Sequence, residues 1–211
     1  MNTARVEATG LDIPKVKQVT QIDGRWSLVI ECKEGKTLEE MMNVDPANLE
    51  KYMEDFVDLQ LQVQSKRNPL LNKLKDKLAR QINELKDLDA TARYELLTRL
   101  ESMPKHTKLC HGDFNPSNII VTDNGTPYIL DWSHATQGNA SADVARTYLL
   151  FCLDGKEELA DKYLDLFCKK SDTAKQYVQK WMPVVAASQS VKGKPEEKEF
   201  LDRWVNVVEY E

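Results

Sequence analysis

No stretch of this 211-residue chain approaches roughly 18 uninterrupted apolar residues, the length a membrane-crossing helix needs. No membrane span is therefore expected. The opening residues Met1-Asn-Thr-Ala-Arg-Val-Glu7 contain no apolar core, so no signal peptide is expected there. Cysteine is scarce. Cys32, Cys110, Cys152 and Cys168 show no C-x-x-C spacing and stand in apolar contexts, which reads as reduced core thiols of a cytoplasmic protein. A basic excess is also missing: 29 Lys and Arg face 34 Asp and Glu, for a net charge of −5. That balance argues against a nucleic-acid partner, which needs a basic footprint. It suits a cationic small-molecule substrate without requiring one. There are no internal repeats and no low-complexity segments, and Lys192-Gly-Lys-Pro195 is the one linker-like piece. The length corresponds to one large domain or one and a half small ones.

The most informative segment is Leu109-Cys-His-Gly-Asp-Phe-Asn-Pro-Ser-Asn-Ile-Ile-Val121, followed by Tyr128-Ile-Leu-Asp-Trp132. It reads as strand, polar loop, strand, turn, strand and a further acidic residue. Asp113 and Asn118 are five residues apart, and Asp131 follows thirteen residues later. Thr122-Asp-Asn-Gly-Thr-Pro127 is a hairpin turn with Asn124-Gly125 expected to supply positive φ. Asn118 and Asp131 then fall at the outer ends of a short hairpin. An isolated Asp and Asn in a loop usually make turns and local hydrogen bonds. Here the flanking strands point elsewhere, since an Asp and an Asn at neighbouring strand ends form what a cation site needs and what a core has no use for. Phosphoryl transfer from a nucleotide requires a carboxylate to orient the attacking hydroxyl, and oxygen ligands for magnesium. Asp113 fits the first role; Asn118 and Asp131 fit the second.

These residues resemble the catalytic loop H-x-D-x-x-x-x-N of the protein-kinase-like fold, with Asp131-Trp132 similar to its metal-binding D-F-G. The H-G-D and I-L-D-W forms are similar to those of the aminoglycoside phosphotransferase and choline kinase group. The resemblance is sharpest over residues 109–150 and extends from residue 1 to about 190. It implies an α+β fold with a mostly helical C-terminal lobe and a small β lobe. It also implies ATP or another nucleoside triphosphate, Mg2+, and a small-molecule hydroxyl acceptor such as an aminoglycoside, amino alcohol or sugar-like compound. His111 would organise the loop backbone, leaving general-base duty to Asp113. Asp143 has two open readings: a carboxylate favoured by a helix start, or the family's Asp that braces the catalytic loop from below. Glu31-Cys-Lys-Glu-Gly-Lys-Thr-Leu38 is similar to the linker between the lobes, where backbone groups of Ile30, Glu31 and Cys32 would meet adenine.

Elsewhere, residues 2–9 read as the end of a helix stopped by Gly10. Val16 to Ile22 and Trp26 to Ile30 read as strands joined at Asp23-Gly24. A helix is expected near Thr37, with Glu39 and Glu40 in its first turn. Leu49, Tyr52, Met53, Phe56, Leu59 and Val63 recur at helical spacing until Asn68-Pro69. Further helices are expected over 70–88, 91–103, 143–153, 156–169, 172–190 and 195–208. Trp181, Phe200, Trp204 and Val207 read as packing residues. This divides the chain into 1–33, a remnant of the N-terminal lobe and hinge, and 34–211, the helical lobe with a catalytic loop over 109–133.

Set beside the family pattern, the chain lacks a Gly-rich loop before residue 100, and neither Lys15 nor Lys17 matches the phosphate-gripping lysine. Glu7 lies too close to Gly10 to be that lysine's partner. Two functions follow: a small-molecule kinase, or a catalytically inactive relative that keeps the large lobe. A reduced sheet would also leave an apolar edge uncovered, and either self-association through that surface or a rearranged N-terminus is expected.

Overall fold

The computed structural model describes residues 2–205. Val207 and the acidic terminal residues Glu209-Tyr210-Glu211 lie outside them. Helix α1 (Asn2–Glu7) leads into a two-stranded antiparallel hairpin, β1 (Val16–Ile22) and β2 (Arg25–Ile30). Its turn is made by Asp23 and Gly24, at φ 50° and 74°. Positive φ at both central residues matches the right-handed twist of the strands. The Glu7 carboxylate accepts the Val16 N–H at 3.1 Å, so this glutamate anchors the base of β1.

The chain then crosses to β3 (Lys36–Thr37) and α2 (Leu38–Val44). Thr37 caps this helix reciprocally: its hydroxyl accepts the Glu40 N–H, and the Glu40 carboxylate accepts the Thr37 N–H at 2.7 Å. Helix α3 (Leu49–Gln64) turns Met53, Phe56, Val57 and Val63 into the core. Helix α4 (Leu74–Glu84) is shorter than the 70–88 expected from the apolar period. At its start, Asn68 folds the backbone by accepting the Leu70 N–H on its side chain and the Leu71 N–H on its carbonyl. At its end, the Arg93 guanidinium from α5 (Ala90–Ser102) donates to the carbonyls of Ile82, Leu85 and Leu88. The chain can therefore leave the helix without stranding those acceptors.

Four short strands follow around the polar loop. β4 (Lys108–Cys110) pairs with β7 (Thr136–Gly138), while β5 (Ile119–Val121) pairs with both β3 and β6 (Pro127–Ile129). In the β5–β6 turn only Gly125 has positive φ, at 81°; Asn124 instead accepts from Thr122 and Thr126 through its side chain. The lobe closes with α6 (Ala140–Leu153), α7 (Glu157–Ser171), α8 (Lys175–Gln179), α9 (Met182–Ser190) and α10 (Pro195–Val205). The single helix expected over 172–190 is thus two. Pro183 lacks an N–H and its ring would meet the carbonyl of residue 179 in a continuous helix.

The core is contiguous through this helical lobe. Trp132, Trp181, Tyr163, Phe56, Phe114 and Phe167 are its largest fully buried side chains. Phe200 and Trp204 pack on it partly buried. The β1–β2 hairpin is different: Val19, Ile22, Trp26, Leu28, Val29 and Ile30 are all exposed, Trp26 by 75%. All four cysteines are free. Cys110 and Cys152 are buried as expected, but Cys32 is exposed, because the linker after β2 has no layer over it.

Candidate active site

β4 and β7 end beside the β5–β6 hairpin, and the loop 111–118 hangs between them. His111 is fully buried, against Trp132 at 4.5 Å and Phe114 at 5.7 Å between ring centroids. Its Nδ1 lies 3.2 Å from the Asp113 N–H, and its Nε2 lies 2.8 Å from the Leu130 carbonyl. Only the neutral ring protonated on Nε2 serves both contacts. Burial lowers the pKa of His111, consistent with that form. Both nitrogens are spent on backbone, so His111 shapes the loop.

Asp143, in the first turn of α6, is also buried. Its two carboxylate oxygens accept the backbone N–H groups of Gly112, at 2.7 Å, and His111, at 3.1 Å. Burial raises its pKa, with His111 and the two N–H bonds acting in the opposite sense. The two readings of this residue coincide: a helix-start carboxylate here grips the loop from below. Gly112 sits at φ 81°, where a Cβ would come 2.7 Å from the His134 carbonyl oxygen. Glycine is required there both for the left-handed backbone and for the close approach.

With its base fixed in this way, the loop presents Asp113 half-buried at the mouth of the site. The Asn118 amide nitrogen donates to the Asp113 carbonyl at 2.9 Å and to its carboxylate at 3.1 Å. Asn115 donates to the same carbonyl at 3.1 Å and accepts from Asn118 N–H and the Ser117 hydroxyl. The other Asp113 oxygen faces the Arg146 guanidinium at 3.9 Å. Behind the loop, Thr147 of α6 donates to the Phe114 carbonyl at 2.9 Å and itself accepts from Gln60 of α3.

Asn118 and Asp131 flank the β5–β6 pair, whose register places Ile119 opposite Ile129; Leu130 N–H donates to Asn118 O at 2.8 Å. Asp131 has left-handed backbone, φ 50°, and is exposed. Hydrogen bonds from Ser133 hold its carboxyl below the usual range, outweighing partial burial, and the nearby His111 and His134 act in the same direction. Because the Asn118 side chain aims its nitrogen at Asp113, its amide oxygen Oδ1 is left without a partner among the described residues. A free amide oxygen and an ionised carboxylate on adjacent strand ends are hard donors of the kind magnesium takes. Among the described residues no group of three or more His, Cys, Asp and Glu side chains could hold an ion. An ion on Asn118 and Asp131 would take its other ligands from phosphate and water.

The expected adenine-side residues Ile30, Glu31 and Cys32 lie across the linker. Glu31 N–H donates to Lys15 O, and its carboxylate pairs with Lys33 at 2.8 Å; Lys33 also stacks over the Tyr128 ring at 4.1 Å. Cys32 N–H has no partner among the described residues. Thus the structure brings Asp113, Asn118, Asp131, His111 and Asp143 together, and the linker reaches the same hairpin through Lys33 over Tyr128 of β6 and through β3 beside β5. Arg146 and Asn115 are the neighbours that motif reading missed. Arg146 could have been found, since it lies one helical turn beyond Asp143 on the same face of α6.

A model of the phosphotransferase enzyme family matches residues 3–178 of this chain. No curated protein matches it. Among solved structures, it is similar to a thermostable mutant of aminoglycoside phosphotransferase APH(4)-Ia, with TM-score 0.70 and 16% identity over 97% of this chain and 80% of that one. Choline kinase LicA from Streptococcus pneumoniae superposes with TM-score 0.62 and 18% identity, over 97% of this chain and 74% of that one. Macrolide 2'-phosphotransferase MphH from Brachybacterium faecium gives 0.52 and 14%, over 100% and 81%. LicA has been solved with AMP, and an APH(4)-Ia mutant with ADP and hygromycin B. At these identities the likeness concerns the fold, which is the protein-kinase-like α+β fold.

Proposed function

Since this chain belongs to the phosphotransferase enzyme family, we propose that it moves the γ-phosphoryl group of ATP, or of another nucleoside triphosphate, to a hydroxyl of a small molecule. The observation that carries this is the joint placement of Asp113, Asn118 and Asp131 at neighbouring strand ends over a loop clamped by Asp143. The acceptor oxygen forms a bond to the γ-phosphorus as the bond to ADP breaks, and the hydroxyl proton leaves to Asp113. Asn118 and Arg146 hold the Asp113 carboxylate for that contact. Asn118 and Asp131 would hold Mg2+, which when bound supplies positive charge against the phosphates. The free Cys32 N–H and the carbonyls of the 30–32 linker would meet the adenine edge. The inactive alternative rests on the missing Gly-rich loop and lysine alone, and the family match and the structural neighbours lend it no support.

Isothermal titration with ADP and ATP, with and without Mg2+, tests the reading. Binding is expected to require Mg2+ and to be lost in Asp131→Asn. An Asp131→Asn variant that bound nucleotide as well as the parent would refute the metal assignment. We further propose that the β1–β2 face carrying Val19, Trp26, Leu28 and Ile30, which the register places on one side of the hairpin, is covered by a second copy of the chain, since exposed apolar residues grouped in this way usually mark an association surface.

A further inference from the structure

Beside Asp113 lies a small cavity, on the side away from the linker, and its walls carry four basic side chains. Lys77 comes from α4, His134 from the turn after Asp131, Arg146 from α6 and Lys192 from just past the end of α9. Gly112, Gln189 and one carboxylate, Asp143, also line it, and no residue before Leu74 does. The cavity measures about 60 Å³. A water molecule needs roughly 10–15 Å³ by that measure, so the space has room for a carboxylate or phosphate group.

The carboxylates nearby are already committed. Asp143 holds the N–H groups of His111 and Gly112. Glu197 is taken by Lys194 at 2.9 Å and by Gln189. Arg146 donates to Gln189 at 2.5 Å and reaches toward Asp113 at 3.9 Å. Lys77 donates to the His134 carbonyl at 3.3 Å, and among the described residues neither Lys77 nor Lys192 has an ion-pair partner. These cations repel one another. Desolvation, then the Arg146 charge, pushes Lys77 down to about 8, against the opposing pull of Asp143 and Asp113. Lys192 is lowered by the same two causes, and Arg146 by burial. Arg146 has Asp113 at 3.9 Å and Asp143 on the same wall, whereas Lys77 and Lys192 have no ion-pair partner among the described residues. Cations gathered in excess of the carboxylates that face them are costly, and an oxyanion in the cavity would offset that cost.

We propose that this cavity receives the oxyanion, carboxylate or phosphate, of the acceptor itself, so that the substrate is an anionic hydroxy compound and not an aminoglycoside or an amino alcohol. The proposal rests on the phosphotransferase reading for the word acceptor. Arg146 links the two ends: one guanidinium spans from the cavity wall to the carboxylate that would meet the hydroxyl. The chain's net negative charge suits a cationic substrate without requiring one, and recognition depends on the charges within a few ångströms of the reacting group.

Turnover with ATP and Mg2+, read as ADP release, would be compared across D-glycerate and glucose 6-phosphate, glycerol and glucose, and choline and kanamycin. At least one anionic probe is expected to react with kcat/KM at least tenfold above its neutral counterpart. Lys192→Glu, at an exposed position that should not disturb folding, is expected to raise that acceptor's KM at least tenfold while KM for ATP stays within twofold. Calorimetric titration with the same anions and no nucleotide gives a readout independent of chemistry; binding should be lost in the Lys77→Met, Lys192→Glu double variant. Anion binding without turnover on any probe would sink the phosphotransferase reading and leave the pocket. Turnover on choline or kanamycin without anion binding would sink the pocket and leave the reading. A Lys192→Glu effect on ATP instead of the acceptor, or no anion binding and no anion turnover, overturns the proposal.

Discussion

At the scale of single residues, Asp113 and Asn118 differ from an ordinary turn pair in what surrounds them. Asn118 spends its amide nitrogen on Asp113, which leaves one Asp113 oxygen toward Arg146 and the mouth of the site. Asp113→Asn keeps the side-chain shape and removes the base. It should lower kcat by about 10²–10⁴-fold, the range for a positioned proton acceptor, with Mg2+-dependent nucleotide binding nearly unchanged. Equal kcat in the variant would remove Asp113 from that role. Lys77 supports a separate prediction about stability. Its folded pKa, about 8, lies below the ordinary 10.5. Between those values the unfolded chain holds a proton that the folded chain has shed, so Lys77 makes stability rise with pH there. Below pH 8 both states are charged and the folded state bears the full cost of burying the charge. Lys77→Met should therefore raise Tm at pH 7 by about 2–4 °C, the change expected for roughly 1 kcal/mol in a chain of this size. The gain should shrink as melts are repeated from pH 8 toward pH 10. A gain constant with pH would show that packing, not charge, is responsible.

Elements carry the next level of the argument. The loop 111–118 has little regular structure of its own; its conformation comes from the start of α6 below and the β5–β6 hairpin beside it. Asp143 is the joint, since both its oxygens accept loop N–H groups. In Asp143→Asn one of those N–H groups would face an amide NH2. A buried donor left unsatisfied costs about 1–3 kcal/mol. The variant should melt lower, and should lose turnover by more than the loss of folded protein explains. Wild-type activity in a destabilised Asp143→Asn would separate the clamp from catalysis. By contrast, the strand–turn–strand pattern, the helix start near Thr37 and the existence of α3 were legible without coordinates, because each rests on neighbours within a few residues. Helix lengths were less so. The ends of α4 are set by the Asn68 turn and by Arg93 from a different helix, and apolar periodicity cannot register either.

Across the whole molecule, the helical lobe holds a contiguous core while β1–β2 stands with apolar side chains in water. If a second copy covers that face, sedimentation velocity at tens of micromolar should give a dimer. Trp26→Asp should convert it to a monomer with little change in Tm, because Trp26 is 75% exposed within one chain. A monomeric parent under those conditions would refute the pairing.

Local chemistry in the sequence was enough to identify the fold family and to nominate the trio Asp113, Asn118 and Asp131, because H-G-D-x-x-x-x-N and I-L-D-W place their functional groups through short-range strand and turn geometry. What the acceptor site offers to a substrate was decided elsewhere. Lys77, His134, Arg146 and Lys192 are spread over 116 positions of the chain, and no spacing relates them. Only the packing of α4, α6 and α9 brings these side chains to one cavity, where the charges of Lys77, Arg146 and Lys192 run against the sign of the chain's overall charge.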